Sequence, residues 1–135
     1  LNWAPDIIHV HGWMASLLPL YIKEYYSDEP LFLESKIVTS VYNKDFEGSL
    51  NSGLVDKIKF DKISDDKISI LQEPNYTNII KSAVSNSDAI VQGSSEIPEE
   101  IAEEIRNRDV PALSFQEEDS FESYLNFYKE LISEE

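Results

Sequence analysis

Cysteine is absent from this chain of 135 residues, which excludes disulfides, thiolate catalysis and thiolate metal sites. Such a composition fits a cytoplasmic protein. Basic residues are scarce: 11 Lys and Arg face 26 Asp and Glu, for a formal net charge of −15. A phosphate backbone needs cations to replace its counterions, so a nucleic-acid partner is not expected, and an anionic membrane surface is disfavoured for the same reason. Long apolar runs are also missing. The longest, residues 13–22, is broken by Ser16 and Pro19, well short of the roughly 18–20 residues of a membrane span. No basic-then-apolar leader opens the sequence, so nothing in it supports secretion. Only four Gly and six Pro occur, and no low-complexity stretch or repeat of 20–50 residues accompanies them. The sequence contains no P-loop, no G-x-G-x-x-G and no G-x-S-x-G, so a phosphate-cradling loop, a dinucleotide fingerprint and a serine-hydrolase elbow are all excluded.

What remains is an ordinary globular composition, 41% apolar and 27% charged, large enough for one core. The acid is uneven: residues 96–135 carry a net −10 and residues 1–95 a net −5. This skew reads either as the solvated face of two amphipathic helices or as an acidic docking surface. Carboxylate pairs such as Glu99-Glu100 and Glu103-Glu104 fall on a helix face at solvent, where nothing tunes them as acid and base.

Residues 6–11 (DIIHVH), 35–42 (SKIVTSVY) and 88–93 (DAIVQG) are short β-branched runs that predict buried strands, and residues 110–115 predict a fourth. Between them lie amphipathic segments. Residues 13–26 place Leu17, Leu18, Tyr21, Ile22 and Tyr25 on one helical face, with Pro19 in the first turns. Residues 75–85 and 95–108 predict further helices, the latter with Ile97, Ile101 and Ile105 at four-residue spacing. The last helix opens on Asp119 with Glu122 three residues on, a capping-box arrangement, and carries Phe121, Tyr124, Leu125, Tyr128 and Leu131 as its stripe. Residues 49–73, with Ile58, Phe60, Ile63, Ile68 and Leu71 among many Lys and Asp, predict short helices or loops. Continuously apolar strands alternating with amphipathic helices predict an α/β fold, a Rossmann-like parallel sheet of about four strands with flanking helices. So thin a sheet has a bare edge. Residues 1–135 are therefore expected to form a single partial domain, the C-terminal portion of a larger one, completed by a missing segment or a second copy.

Ligands of open α/β sheets bind beyond the carboxyl ends of the strands. The two histidines of the chain, His9 and His11, both fall at the first such tip and, two apart on a strand, point the same way. Three readings stay open for them: a two-histidine metal site, which has no evident third ligand; packed histidines bonded to backbone; and a role for His11 in holding a polar ligand. Trp13, Tyr42 and Phe46 offer rings for stacking on a sugar, or for the core.

These residues also carry a resemblance. Residues 3–21 (WAPDIIHVHGWMASLLPLY) resemble the glycogen/starch synthase segment W-x-P-D-[IV]-[IV]-H-x-H-D-W-H-[TA]-[AG]-L-x-P-x-Y. Residues 40–48 (SVYNKDFEG) are similar to the family's T-x-H-N-L-A-Y-Q-G, and residues 81–94 (KSAVSNSDAIVQGS) to its K-x-G-[IL]-x-x-A-D-x-[VI]-x-x-V-S unit. The whole looks most like a short bacterial group with only the first of the family's two domains. The resemblance implies the N-terminal, acceptor-side domain of a GT-B enzyme, which moves glucose from ADP-glucose to the non-reducing end of an α-1,4-glucan with retention of configuration. It implies no cofactor beyond that nucleotide-sugar substrate, no metal, and glycogen or another α-glucan as partner. By position it assigns His11 as a catalytic residue, and His9, Gly12, Trp13, Tyr42, Asn43 and Gly48 as substrate-binding residues. The departures are specific. Gly12 stands for the family's Asp, Met14 for its third His, Tyr42 for the His before Asn, and Phe46 and Glu47 for its Tyr and Gln. No basic cluster is present to neutralise a donor diphosphate, which glycosyl transfer requires. The chain alone is thus expected to be inactive: either part of a glucosyltransferase, or a non-catalytic glucan-binding or regulatory relative.

Overall fold

A computed structural model describes residues 3–43, 45–59, 63–118 and 120–133. Its element order is β1 (Ile7–His11), a 3₁₀ turn (Trp13–Ala15), α1 (Leu18–Glu24), β2 (Lys36–Val41), α2 (Leu54–Ile58), α3 (Asp65–Ile68), a second 3₁₀ turn (Ser69–Gln72), α4 (Tyr76–Ser85), β3 (Ala89–Gln92), α5 (Glu99–Asn107), β4 (Ala112–Leu113) and α6 (Phe121–Ser133). The four strands form one sheet in the order β1-β2-β3-β4, and every pairing is parallel. The expected α/β architecture is therefore what the chain adopts.

Both faces of the sheet are covered, which is why β2 and β3 read as continuous apolar runs. On one face Val41 and Ile90 pack with Tyr76, Ile80 and Val84 of α4 and Ile101 of α5. An adjoining cluster joins Leu20 of α1 to Ile58, Ile63, Ile68, Leu71 and Ile79. On the other face Val38, Ala89 and Val91 pack against Phe127 and Leu131 of α6. Asp88 ties the lower end together, accepting from the Ile37 backbone N–H at 2.7 Å and pairing with Lys23 of α1 at 2.8 Å. No helix among the described residues is long and apolar enough to cross a membrane.

Several boundaries differ from the sequence reading. The helix expected over residues 13–26 begins only at Leu18, because Pro19 lacks an N–H and is accommodated only in the first turn. Of the expected stripe Ile22 is buried, and Leu17, Tyr21 and Tyr25 pack half-buried against the core that holds Leu20, whereas Leu18 is exposed. The helix expected from residue 95 starts at Glu99 with Pro98 as its N-cap, since a residue preceding proline is pushed out of the helical region. Ile97 nevertheless packs with Ile101 and Ile105 as expected. Strand β4 pairs through two residues only. Helix α4 starts after Asn75, whose side chain accepts the Asn78 N–H at 2.8 Å, an ordinary N-cap. In α6 the buried positions are Phe127 and Leu131 with Tyr124 and Tyr128 beside them. Phe121 is 78% exposed and Leu125 37%, so the stripe lies one helical step from where Phe121 and Leu125 would place it. Asp119 and Phe60 lie outside the described residues.

Candidate functional site

Strand alternation sends His9 and His11 of β1 and Ser40 of β2 to the face that α6 covers, and Tyr42 follows them at the tip. The two imidazoles stack with centroids 4.1 Å apart. His9 is engaged at both ring nitrogens: Nδ1 with the Tyr128 hydroxyl of α6, and Nε2 with Ser40 Oγ at 2.7 Å. Burial, and then the neighbouring His11, lower the His9 pKa from 6.5 to about 4, so His9 is neutral, donating from one nitrogen and accepting at the other. The Ser40–His9–Tyr128 chain has the order of a nucleophile, base and orienting group, yet Ser40 is 1% exposed and no substrate reaches its hydroxyl.

His11 differs. Its side chain is at the surface, and its Nδ1 pairs with the Tyr42 hydroxyl at 2.8 Å. Among the described residues Nε2 has no partner, and so is available to a ligand. The Tyr42 ring is held against Gly93 at the end of β3, where a Cβ would come within 2.4 Å of the ring; only glycine leaves room for it. Tyr42 is also fixed through its backbone, whose carbonyl accepts the Tyr76 hydroxyl at 2.6 Å.

The remaining predicted residues sit around this network without joining it. Gly12 turns the chain out of β1 at φ 71°, a conformation glycine adopts without a Cβ penalty, and its carbonyl accepts the Ser16 hydroxyl at 3.0 Å. Trp13 packs its ring on Phe46 at 4.8 Å, and both lean on two core clusters. Asn43 is exposed and joins the β2 and β3 tips through its backbone N–H, which donates to Ser94 Oγ at 3.0 Å. Gly48, also at positive φ, lies just before the Ser49–Asn75 bridge that starts α4. The structure thus gathers His9, His11 and Tyr42 and leaves Trp13 with Phe46. It adds three residues that were not among the expected site residues: Ser40, Gly93 and Tyr128. Gly93 carried a signal, a lone glycine directly after a strand; Tyr128 carried none, since nothing local links it to His9. Among the described residues no group of three His, Cys, Asp or Glu could hold a metal ion.

The result is a patch of imidazole and phenol groups at the strand tips. It can hydrogen-bond hydroxyls in both senses and offer ring faces to C–H groups.

Comparison with known proteins matches residues 1–113 to a family model, the starch synthase catalytic domain. A glycogen synthase of Chlorobium luteolum is 30% identical over 117 residues, 87% of this chain and 22% of that protein. A glycogen synthase of Clostridium perfringens is 28% identical over 101 residues, covering 75% and 21%. One of Thermotoga maritima is 30% identical over 110 residues, covering 77% and 21%. The chain spans about a fifth of the length of these curated relatives. Helix α6 lies beyond the residues that match the family model.

Proposed function

Because the chain belongs to the starch synthase catalytic domain family, we propose that it is the acceptor-side part of a glycogen synthase-type glucosyltransferase, its strand tips holding an α-1,4-glucan that receives glucose from ADP-glucose. The observation that carries this reading is His11: exposed at the carboxyl end of β1, oriented by Tyr42, with Nε2 open to a sugar hydroxyl. A protein of net charge −15 suits an uncharged polymer better than a polyanion. His9 stands behind His11 and sets its position by stacking. Transfer itself needs groups that neutralise and align a diphosphate, and these belong to machinery beyond the strand tips.

One observation favours a second reading, a non-catalytic glucan-binding relative. Both nitrogens of His9 are already committed to Tyr128 and Ser40, so the family-matched histidine pair presents one free ring nitrogen, not two.

Two measurements on the native full-length protein separate these. Electrophoresis through gels containing glycogen is expected to show retardation under either reading, and unchanged mobility overturns both. Release of ADP from ADP-glucose in the presence of glycogen is expected only for the enzyme; binding without turnover above a blank leaves the binding relative. His11→Ala weakens retardation while leaving the melting temperature near wild type.

A further inference from the structure

Helix α6 lies outside the family-matched residues, yet it docks on the face from which His9 and His11 project. Its docking is provided by Phe127 and Leu131, buried on Val38, Ala89 and Val91. Two tyrosines one turn apart, Tyr124 and Tyr128, lie beside these anchors, ring to ring at 6.4 Å. They are only half-buried, and they differ in what their hydroxyls do. Tyr128 holds His9. The Tyr124 hydroxyl has no hydrogen-bond partner among the described residues. A half-buried ring with an unengaged hydroxyl leaves both an apolar face and a hydrogen-bonding group open to a ligand.

Helix α6 runs back along the strands: Leu131 reaches their amino ends beside Lys36 and Ser87, and Tyr128 meets His9 within β1. Tyr124, one turn earlier, therefore lies on the side of His9 toward the tip. Burial raises the Tyr124 pKa, and so, secondarily, does the neighbouring Tyr42 phenol. Tyr42 in turn is bonded to His11 and pinned over Gly93. We propose that α6 is part of the binding site, with Tyr124 extending the His11–Tyr42 pair into a wall of three rings that takes one glucose unit of an α-glucan chain. The chemistry specifies a neutral polyol: phenol and imidazole donate and accept hydrogen bonds without fixed charge, and their ring faces pack on sugar C–H groups. The inference rests on the strand-tip reading above and adds to it a residue that the family match does not contain.

The test is electrophoresis of the full chain through gels of graded glycogen content, with His11→Ala as the reference for the strand-tip reading. Tyr124→Leu keeps apolar volume against Tyr128 but removes the ring and its hydroxyl. Weakening by about tenfold is expected, as for an aromatic contact at the centre of a binding surface, with an unchanged melting temperature. If that variant does not fold, Tyr124→Met, flexible and of similar bulk, takes its place. If the Tyr124 variant is retarded like wild type while His11→Ala is weakened, the role of α6 is overturned and the strand-tip reading stands. If wild type ignores glycogen, both fall.

Discussion

A hydrogen atom at residue 93 decides where Tyr42 lies. Since a Cβ at Gly93 would meet the Tyr42 ring at 2.4 Å, Gly93→Ala displaces that ring and breaks its bond to His11. The expected cost is about 1–3 kcal/mol, the range for overpacking, and combining it with Tyr42→Ser, which removes the ring, recovers most of the melting temperature. Equal melting of Gly93→Ala and wild type would contradict the packing. His9 makes a second expectation, in pH. Its folded pKa is lowered from 6.5 to about 4 by burial and by His11. Its contribution is intact above 6.5. Between the two values the unfolded chain takes up a proton that the folded chain refuses, so stability falls as pH drops through that window. His9→Gln cannot titrate, so thermal melts at about pH 7 and about pH 5 are expected to differ less for the variant than for wild type. A variant that loses as much stability as wild type between those pH values would exclude His9 as the source. The two histidines and Tyr42 were legible in the sequence because strand alternation and family motifs both point to them. The partner of His9 was not: Tyr128 lies 119 residues away, and only folding brings the two together.

Among the elements, strands were the most legible, because a strand buried on both faces leaves an uninterrupted β-branched run. Helix starts were less so, and both errors have proline as their cause: Pro19 and Pro98 each fix the first turn locally, whereas an apolar periodicity runs on past the true boundary. In α6 the expected stripe of Phe121, Tyr124, Leu125, Tyr128 and Leu131 holds only in part, since Phe127 joins Leu131 inside while Phe121 and Leu125 are exposed. The docking is testable. Leu131→Ala is expected to cost about 2–4 kcal/mol in denaturant unfolding, whereas Phe121→Ala, at an exposed position, changes stability by less than about 0.5 kcal/mol. The reverse order would mean that α6 docks through its other face.

At the scale of the molecule, charge and ligand are mismatched in a way that can be measured. The surface is strongly acidic, with a net charge of −15, while the proposed ligand has no charge. Binding of an uncharged glucan has no Coulomb part for salt to screen, so retardation by glycogen is expected to hold between about 0.01 M and about 0.15 M salt. A steep loss over that range would point to an ionic ligand in place of a glucan. The family itself was legible from three ordered segments at strand tips, which the match over residues 1–113 bears out; what α6 contributes lies past that match.

The sheet's two faces divide the chain's tolerance for change. On one, α1, α4 and α5 close over aliphatic side chains, and a substitution there registers first as lost protein. On the other, a single helix lies over histidines, tyrosines and a buried serine. A saturation scan scored separately for abundance and for glycogen retention is therefore expected to lose abundance at every buried position of β2, Ile37, Thr39 and Val41 on the first face and Val38 with Ser40 on the second, and to lose retention alone at Tyr42, where the α6 face reaches the tip.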